Sequence, residues 1–249
     1  MQNRLYDLRF MVDRNEWRAR AKRSLVFQLW QKYRPPIDRN VNILDYGCGT
    51  GVLQEEFEEK FKAKGFGIDV SKKAINYCKK RGLNRIKLFN GKKIPFKSGY
   101  FNLATAIDVL EHIEDDLGAL REIKRVLKKG DIAILLVPAH HRLWSTRDIN
   151  LHHFRRYQVG ELEGKCRLAG FKLLASKNVD FALYFLFYII CLFAPKKNGI
   201  PKLKMDIATA STNKFINEII FIYEWLENIL QKFISYPIGL SIAVVAQKV

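Results

Sequence analysis

The sequence predicts an α/β protein built on a doubly wound, mostly parallel sheet. Three observations carry that expectation. From Val41 onward, short apolar strands alternate with amphipathic helices. A glycine-rich turn, Gly47-Cys48-Gly49-Thr50-Gly51, follows the first strand and opens a helix. An acidic residue, Asp69, closes the second strand 18 residues beyond Gly51. With 249 residues, 48% of them apolar, the chain can bury a core, which excludes wholesale disorder.

Taken in order, residues 14–33 read as a helix, because Trp17, Ala21, Leu25 and Leu29 recur at fours and Pro35-Pro36 stops it. Strands follow at 41–46, 65–70, 86–89, 101–107 and 131–138. Helices are expected at 51–62, from Ser71 as N-cap, and over 115–129, closed by Lys128-Lys129-Gly130. Beyond 138 the period loosens until a helix at 160–170, a strand at 171–179 and a last strand at 240–249. The stretch between those two strands is far longer than a loop, and holds the apolar run Phe181–Ala194 and a helix near 212–234. Three regions result: an N-terminal helical segment (1–39), a sheet domain (40–180 with 240–249) and a helical cap insertion (181–239).

The net charge of +18 suggests an anionic partner. It is spread evenly, however: residues 1–40, 41–150 and 151–249 each net +6, so no tail or cluster carries it. A uniformly basic surface explains it as well as a binding face does. Cys48, Cys78, Cys166 and Cys191 form no C-x-x-C pair and have no zinc-like spacing to histidine, which fits a reducing compartment. Charges recur from Arg4 to Arg23 with no apolar stretch between them, so no secretory leader is expected. The longest apolar run has 14 residues, against the roughly 20 a spanning helix needs. The expectation is a cytoplasmic protein, at most at the inner face of a membrane.

The glycine turn carries the chemistry. Glycines allow a tight turn and close approach of a ligand to backbone amides at a helix start. The spacing is not G-x-G-x-x-G, and no Gly-Lys-Ser/Thr follows for a triphosphate. Asp45 beside the turn suits a cationic amino or sulfonium group better than a pyrophosphate, and Asp69 is placed to accept from ribose hydroxyls.

With ILDYGCGTG at 43–51 and GIDVS at 67–71, the chain resembles the class I S-adenosylmethionine (SAM)-dependent methyltransferases. Asn90-Gly91, FNLATAIDVLEHI (101–113) and LREIKRVLKKGDIAILLVP (120–138) match the segments that follow, with Asn90 and Asn102 standing where that family usually has Asp. The resemblance implies a Rossmann-like, seven-stranded sheet with an antiparallel last strand, SAM as cofactor and S-adenosylhomocysteine as product. It implies that Asp45, Gly47, Cys48, Gly49, Gly51, Asp69 and Val70 hold the methionine and ribose ends, that Asn90 and Gly91 border the adenine, and that Asp108 and Val109 border the methyl path.

Residues 137–157 hold four of the five histidines, and L-W-S-x-x-D-x-x-x-x-H-x-R-R-Y there resembles a subgroup of these enzymes akin to methyltransferase types 11 and 23. His153 is the first choice for a general base, with His141 and Tyr157 as further catalytic candidates. Trp144, Asp148, Arg155 and Arg156 are assigned to the acceptor, the arginines as holders of a phosphate or carboxylate. The competing reading makes Asp148 and the arginines an ion-pair latch. No metal is expected, because no third ligand accompanies His152-His153 and Asp148 at a persuasive spacing.

In the insertion, the run 181–194 has no polar face and must be buried in protein or lipid. On the second helix, Asn217, Glu218, Glu224, Glu227, Asn228, Gln231 and Lys232 form one half of the wheel and apolar residues the other. The expectation is that the two helices pack together as a cap on the sheet. Alternatively they open an apolar groove to the membrane, with Lys196, Lys197, Lys202 and Lys204 facing anionic headgroups. The function these features imply is methyl transfer, at oxygen, to a small or lipid-linked acceptor such as a glycan phosphate or quinone-like molecule. An RNA methyltransferase and a non-catalytic SAM-binding or membrane-associated protein are the alternatives; no appended RNA-binding module is recognisable, so nucleic acid is not the expected partner.

Overall fold

The computed structural model describes residues 7, 10–36, 41–203 and 213–249; Lys204 and the expected start of the last helix at 212 lie outside them. Helix α1 (Trp17–Tyr33) begins three residues later than expected, where the Glu16 side chain accepts from Ala19 N–H. The chain then runs β1 (Asn42–Tyr46), α2 (Val52–Phe61), β2 (Lys64–Asp69), α3 (Lys72–Lys80), β3 (Ile86–Leu88) and β4 (Phe101–Ile107). After α4 (Asp116–Val126) come β5 (Leu127–Pro138), the short α5 (Thr146–Asn150), α6 (Glu161–Leu168) and β6 (Phe171–Val179). The insertion contributes α7 (Phe181–Phe193) and α8 (Lys214–Leu230), and β7 (Ser241–Lys248) closes the fold.

These seven strands form one sheet in the order β3-β2-β1-β4-β5-β7-β6. The first five are mutually parallel, and β7 runs antiparallel to both β5 and β6. Because strand order reverses between β1 and β4, the loops after those strands part and leave a crevice at their carboxyl ends.

Alternate residues of the central strands feed two cores, as expected where helices cover both faces. Leu44, Ala104, Ala133 and Leu135 pack with Leu120 and Ile123 of α4 and Leu162 of α6. On the other face Ile43, Leu103, Ile132 and Ile134 pack with Phe57 of α2 and with Leu25, Leu29 and Trp30 of α1. The N-terminal helix is therefore part of the core.

Lys128-Lys129-Gly130 does not close a helix. The chain passes from α4 directly into β5, and these residues belong to the strand. Leu127 pairs with Phe101, and the register shifts before Leu103 meets Ile132, with Gly130 supplying φ +83°. Asn102 explains its own departure from Asp: its amide donates to Asp131 at 2.8 Å while its carbonyl oxygen accepts from Lys128 at 3.1 Å. A carboxylate in that place could only accept.

The insertion departs most from expectation. Helices α7 and α8 do not lie together as a paired cap. Helix α8 runs along α1, where Trp17 N–H donates to Asn217 at 2.9 Å and Arg20 pairs with Glu218 at 2.5 Å. Helix α7 packs Tyr184, Phe187 and Cys191 against Leu143, Leu203 and Leu240. The two helices meet where Glu227 accepts from the first free amide of α7, Phe181 N–H, at 2.7 Å. The chain leaves β6 through Asp180, at φ +60°, whose carboxylate accepts from Ser241 at 2.8 Å. It returns through Gly239, where a Cβ would stand 2.2 Å from the Val179 carbonyl oxygen. Gly239→Ala is expected to destabilise the protein by about 1–3 kcal/mol through this overpacking; an unchanged thermal midpoint would show that the return can shift freely.

Candidate active site

The crevice opens into a cavity of about 870 Å³. That is near the top of the roughly 300–1,000 Å³ usual for small-molecule sites. Its floor is the loop after β1. Gly47 adopts φ +78°, and a Cβ there would lie 2.4 Å from Val109 Cγ2, so a side chain is excluded both by conformation and by space. Gly49, at φ +53°, has open space where a Cβ would project, so its bare backbone leaves cavity volume free. Asp69 sits at the β2 end, accepting from Gly49 N–H at 3.0 Å and Ser71 N–H at 2.8 Å. Its carboxylate stands at the strand end on the cavity wall. Cys48, Gly51, Val70, Gly91, Asp108 and Val109 also line the cavity. A glycine cradle beside a strand-end carboxylate, with this volume, fits SAM.

Two of the implied cofactor residues stand elsewhere. Asp45 lies beneath the loop, accepting from Thr105 at 2.6 Å and Gln54 at 3.2 Å, and is not among the residues lining the cavity. Burial pushes its carboxyl up to about 7, against the Thr105 hydrogen bond, and Asp69 adds to the rise. It braces the loop from below through Thr105 and Gln54. Asn90 is exposed outside the lining, with its side-chain oxygen accepting from Lys92 N–H at 3.1 Å.

Helix α1 supplies what sequence reasoning missed. Arg18 and Lys22 line the cavity, and the Lys22 ammonium pairs with Asp108. Asp108 itself holds φ +50°, uncommon for a residue with a side chain and typical of functional turns. Nothing in the α1 pattern marked Lys22, because its charge reads as part of a solvent face.

Opposite the glycine loop lies a buried network centred on Asp148. One oxygen accepts from His153 Nδ1 at 2.9 Å and Arg156 Nε at 2.8 Å, and the other from Ser145 N–H at 3.0 Å and its hydroxyl at 3.1 Å. Burial raises the Asp148 carboxyl, but the His153 hydrogen bond and the Arg156 charge reverse that and bring it to about 2. With Nδ1 engaged, the other ring nitrogen of His153 is left for the cavity that this residue lines. His112 packs edge-on against it, with ring centroids 4.6 Å apart. Glu111, 1% exposed, completes a group in which one donor atom from each of Glu111, His112 and His153 lies within 4.8 Å of the others. Burial and the neighbouring Asp108 hold the Glu111 carboxyl well above its ordinary range. This trio could hold a divalent cation, contrary to the expectation of no metal-ligating set. No spacing in the sequence marks this set, because Glu111-His112 lies 41 residues from His153 and meets it only in the fold.

Other expected site residues are placed away from the cavity. Tyr157 is fully buried and its hydroxyl donates to Asp116 at 2.7 Å, so it is a core tether and not a catalytic group. Arg155 binds the same Asp116 at 2.6 Å and the Glu114 carbonyl at 2.8 Å, so it is no acceptor ligand. His141 is half exposed and 3.8 Å from Glu161. Neither it nor Trp144 is among the residues that line the cavity. Arg156 does line it, with its Nε donating to Asp148 and its Nη1 to the Ala139 carbonyl. The latch reading thus describes Asp148 and Arg156, whereas Arg155 is held by Asp116 and belongs to neither reading.

The chain matches the methyltransferase domain family over residues 15–176. It belongs to that family, and is placed by it among the class I SAM-dependent methyltransferases. It is 27% identical over 150 residues to the demethylmenaquinone methyltransferase of Geobacillus stearothermophilus, a match covering 55% of this chain and 64% of that protein. Over 99 residues it is 28% identical to the ubiquinone biosynthesis O-methyltransferase of Colwellia psychrerythraea, covering 37% and 40% of the two chains. These curated relatives are thus matched over less than two thirds of their length. Its fold is like that of a SAM-dependent methyltransferase from Archaeoglobus fulgidus (TM-score 0.53, 16% identity, 91% of this chain and 94% of that one). It is also like that of the geranyl diphosphate C-methyltransferase of Streptomyces coelicolor A3(2), solved with Mg2+, geranyl diphosphate and S-adenosyl-L-homocysteine (TM-score 0.57, 15% identity, 89% and 79% covered).

Two expectations follow from the network. Tyr157→Phe should lower stability by about 1.5–3 kcal/mol, the worth of a hydrogen bond to a charged group, and leave turnover within about twofold. A collapse in turnover with stability kept would return Tyr157 to catalysis. For Asp148 the folded carboxyl lies below its ordinary value of 3.8, at about 2. Its contribution, about 2–3 kcal/mol, is then present above pH 3.8 and is lost as pH falls through about 2. Asp148→Asn should remove that acid-dependent loss from the urea-unfolding profile, and an unaltered profile would exclude it.

Proposed function

We propose that the protein transfers the methyl group of SAM to a hydroxyl oxygen of a small or lipid-linked acceptor, with His153 as general base. The observation that carries this reading is the Asp148–His153 pair at 2.9 Å on the wall of a cavity whose floor is the glycine loop. When bound, SAM supplies a methyl group already activated by its sulfonium. The backbone of Gly47–Gly51 and the Asp69 carboxylate orient the cofactor, and Asp108 and Val109 border the side from which the acceptor approaches. Asp148 keeps the proton of His153 on Nδ1, so Nε2 takes the acceptor's hydroxyl proton as the oxygen takes the methyl group. The names of the two curated relatives, a demethylmenaquinone methyltransferase and a ubiquinone biosynthesis O-methyltransferase, support a small acceptor. Arg18 and Arg147 support an anionic group on it. Both line the cavity, and the Nε of each is buried without a hydrogen-bond partner among the described residues.

A second reading is favoured by the Glu111–His112–His153 group: a divalent cation held there would acidify the hydroxyl in place of a base. The same assay decides between them. The protein is incubated with methyl-labelled SAM and a cell extract, which is then fractionated into lipid, small molecules, RNA and protein. His153→Ala should cut transfer about 10²–10⁴-fold with calorimetric SAM affinity unchanged, whereas Asp69→Ala should weaken SAM binding. Wild-type transfer in His153→Ala would remove the base. Loss of wild-type transfer in EDTA, restored by Mg2+ or Mn2+, would establish the cation reading.

A further inference from the structure

The wheel of α8 is turned opposite to expectation. Its polar half faces inward: Asn217, Glu224, Glu227, Asn228 and Gln231 are buried. Its apolar half faces outward, with Phe215, Ile219, Ile222, Leu226, Leu230 and Phe233 all exposed, Phe215 by 71%. Helix α7 repeats the arrangement. Beyond its three buried residues, Phe185, Leu186, Ile189, Leu192 and Phe193 form one exposed stripe at helical spacing, Phe193 by 84%. Phe181, at the start of α7, donates its N–H to Glu227 of α8 and stacks on Tyr236 in the segment after α8, with centroids 4.9 Å apart, so the two helices adjoin there. A water-soluble monomer rarely leaves so much contiguous apolar surface uncovered.

We propose that the outer faces of α7 and α8 dock on an anionic lipid bilayer, lying in its interface. Charge singles out this occupant. Exposed lysines border the stripes: Lys196, Lys197 and Lys202 beyond the end of α7, Lys214 and Lys232 at the two ends of α8. None of the five forms an ion pair among the described residues. Of the three acids on α8, two are withdrawn from the headgroups and the third is paired. Glu224 and Glu227 are buried beneath α8, and Glu218 is held by Arg20. An apolar stripe edged by cations, with the acids of its helix buried or paired, is the pattern of an interfacial helix. With 13 residues, α7 is about 20 Å long, short of the roughly 30 Å hydrocarbon core. Among the described residues no helix is long and apolar enough to cross a membrane, so docking lies along the surface.

The proposal stands independently of methyl transfer and is tested without SAM. The purified full chain is sedimented with vesicles of phosphatidylcholine alone, or of phosphatidylcholine and phosphatidylglycerol at a ratio of about 7:3, and its oligomeric state is measured by sedimentation velocity in lipid-free buffer. Wild type should pellet with the anionic vesicles and much less with the neutral ones, the difference fading at high salt. Phe185→Ser with Ile189→Ser, both at exposed positions, should keep the thermal midpoint and lose most of the pelleting. Lys196→Glu with Lys197→Glu should reduce partitioning to anionic vesicles at least about tenfold. Equal recovery in the supernatant with and without vesicles would overturn the proposal. So would a dimer that the serine variant abolishes, since a second copy of the chain would then cover these faces.

Discussion

The active edge depends on the reversal of strand order between β1 and β4. Neighbouring parallel strands whose connections run in opposite directions leave their carboxyl-end loops unable to cover one another. The loop after β1 must turn at once into α2, and does so through left-handed glycines, one of them pressed against Val109 from the loop after β4. These two loops are therefore mutually fitted. Asp45 and Thr105 join the strands just below, where a buried carboxyl and a hydroxyl meet at 2.6 Å.

A second carboxylate organises the opposite wall. Asp148 has no exposed surface, and it is stabilised only because four donors converge on it. One of those donors is the His153 ring, so the group that holds the loop together also sets the histidine's tautomer. Tyr157 and Arg155, next in the chain, close a separate network on Asp116. In H-x-R-R-Y the chemistry is thus divided, with His153 on the cavity wall, Arg156 beside it bound to Asp148, and Arg155 and Tyr157 held on Asp116.

The insertion follows a different logic. Helix α8 meets surfaces that are themselves polar: the flank of α1 with Arg20, the Asp180 turn and the bare amides at the start of α7. Satisfying those groups requires side chains that accept and donate, so the polar half of α8 is drawn inward and the apolar half is left outside. That orientation leaves exposed lysines just beyond the outward apolar stripes.

Strand–helix alternation, the glycine turn, Asp69 and the Ser71 cap were legible in the chain, because local periodicity and backbone conformation depend on neighbouring residues alone. The sheet strands fell within a residue or two of their expected ends, except β5, whose start was hidden by a lysine pair that reads equally well as a helix terminus. What tertiary structure alone decided is every pairing between distant polar groups. Lys22 reaches Asp108 across 86 residues, and Glu111-His112 meets His153 across 41. Tyr157 was drawn into the core by Asp116. The direction of an amphipathic helix belongs in the same class. Its sequence determines that it has two faces, but which face turns inward depends on whether the surface it meets is polar, and that surface is assembled from other parts of the chain.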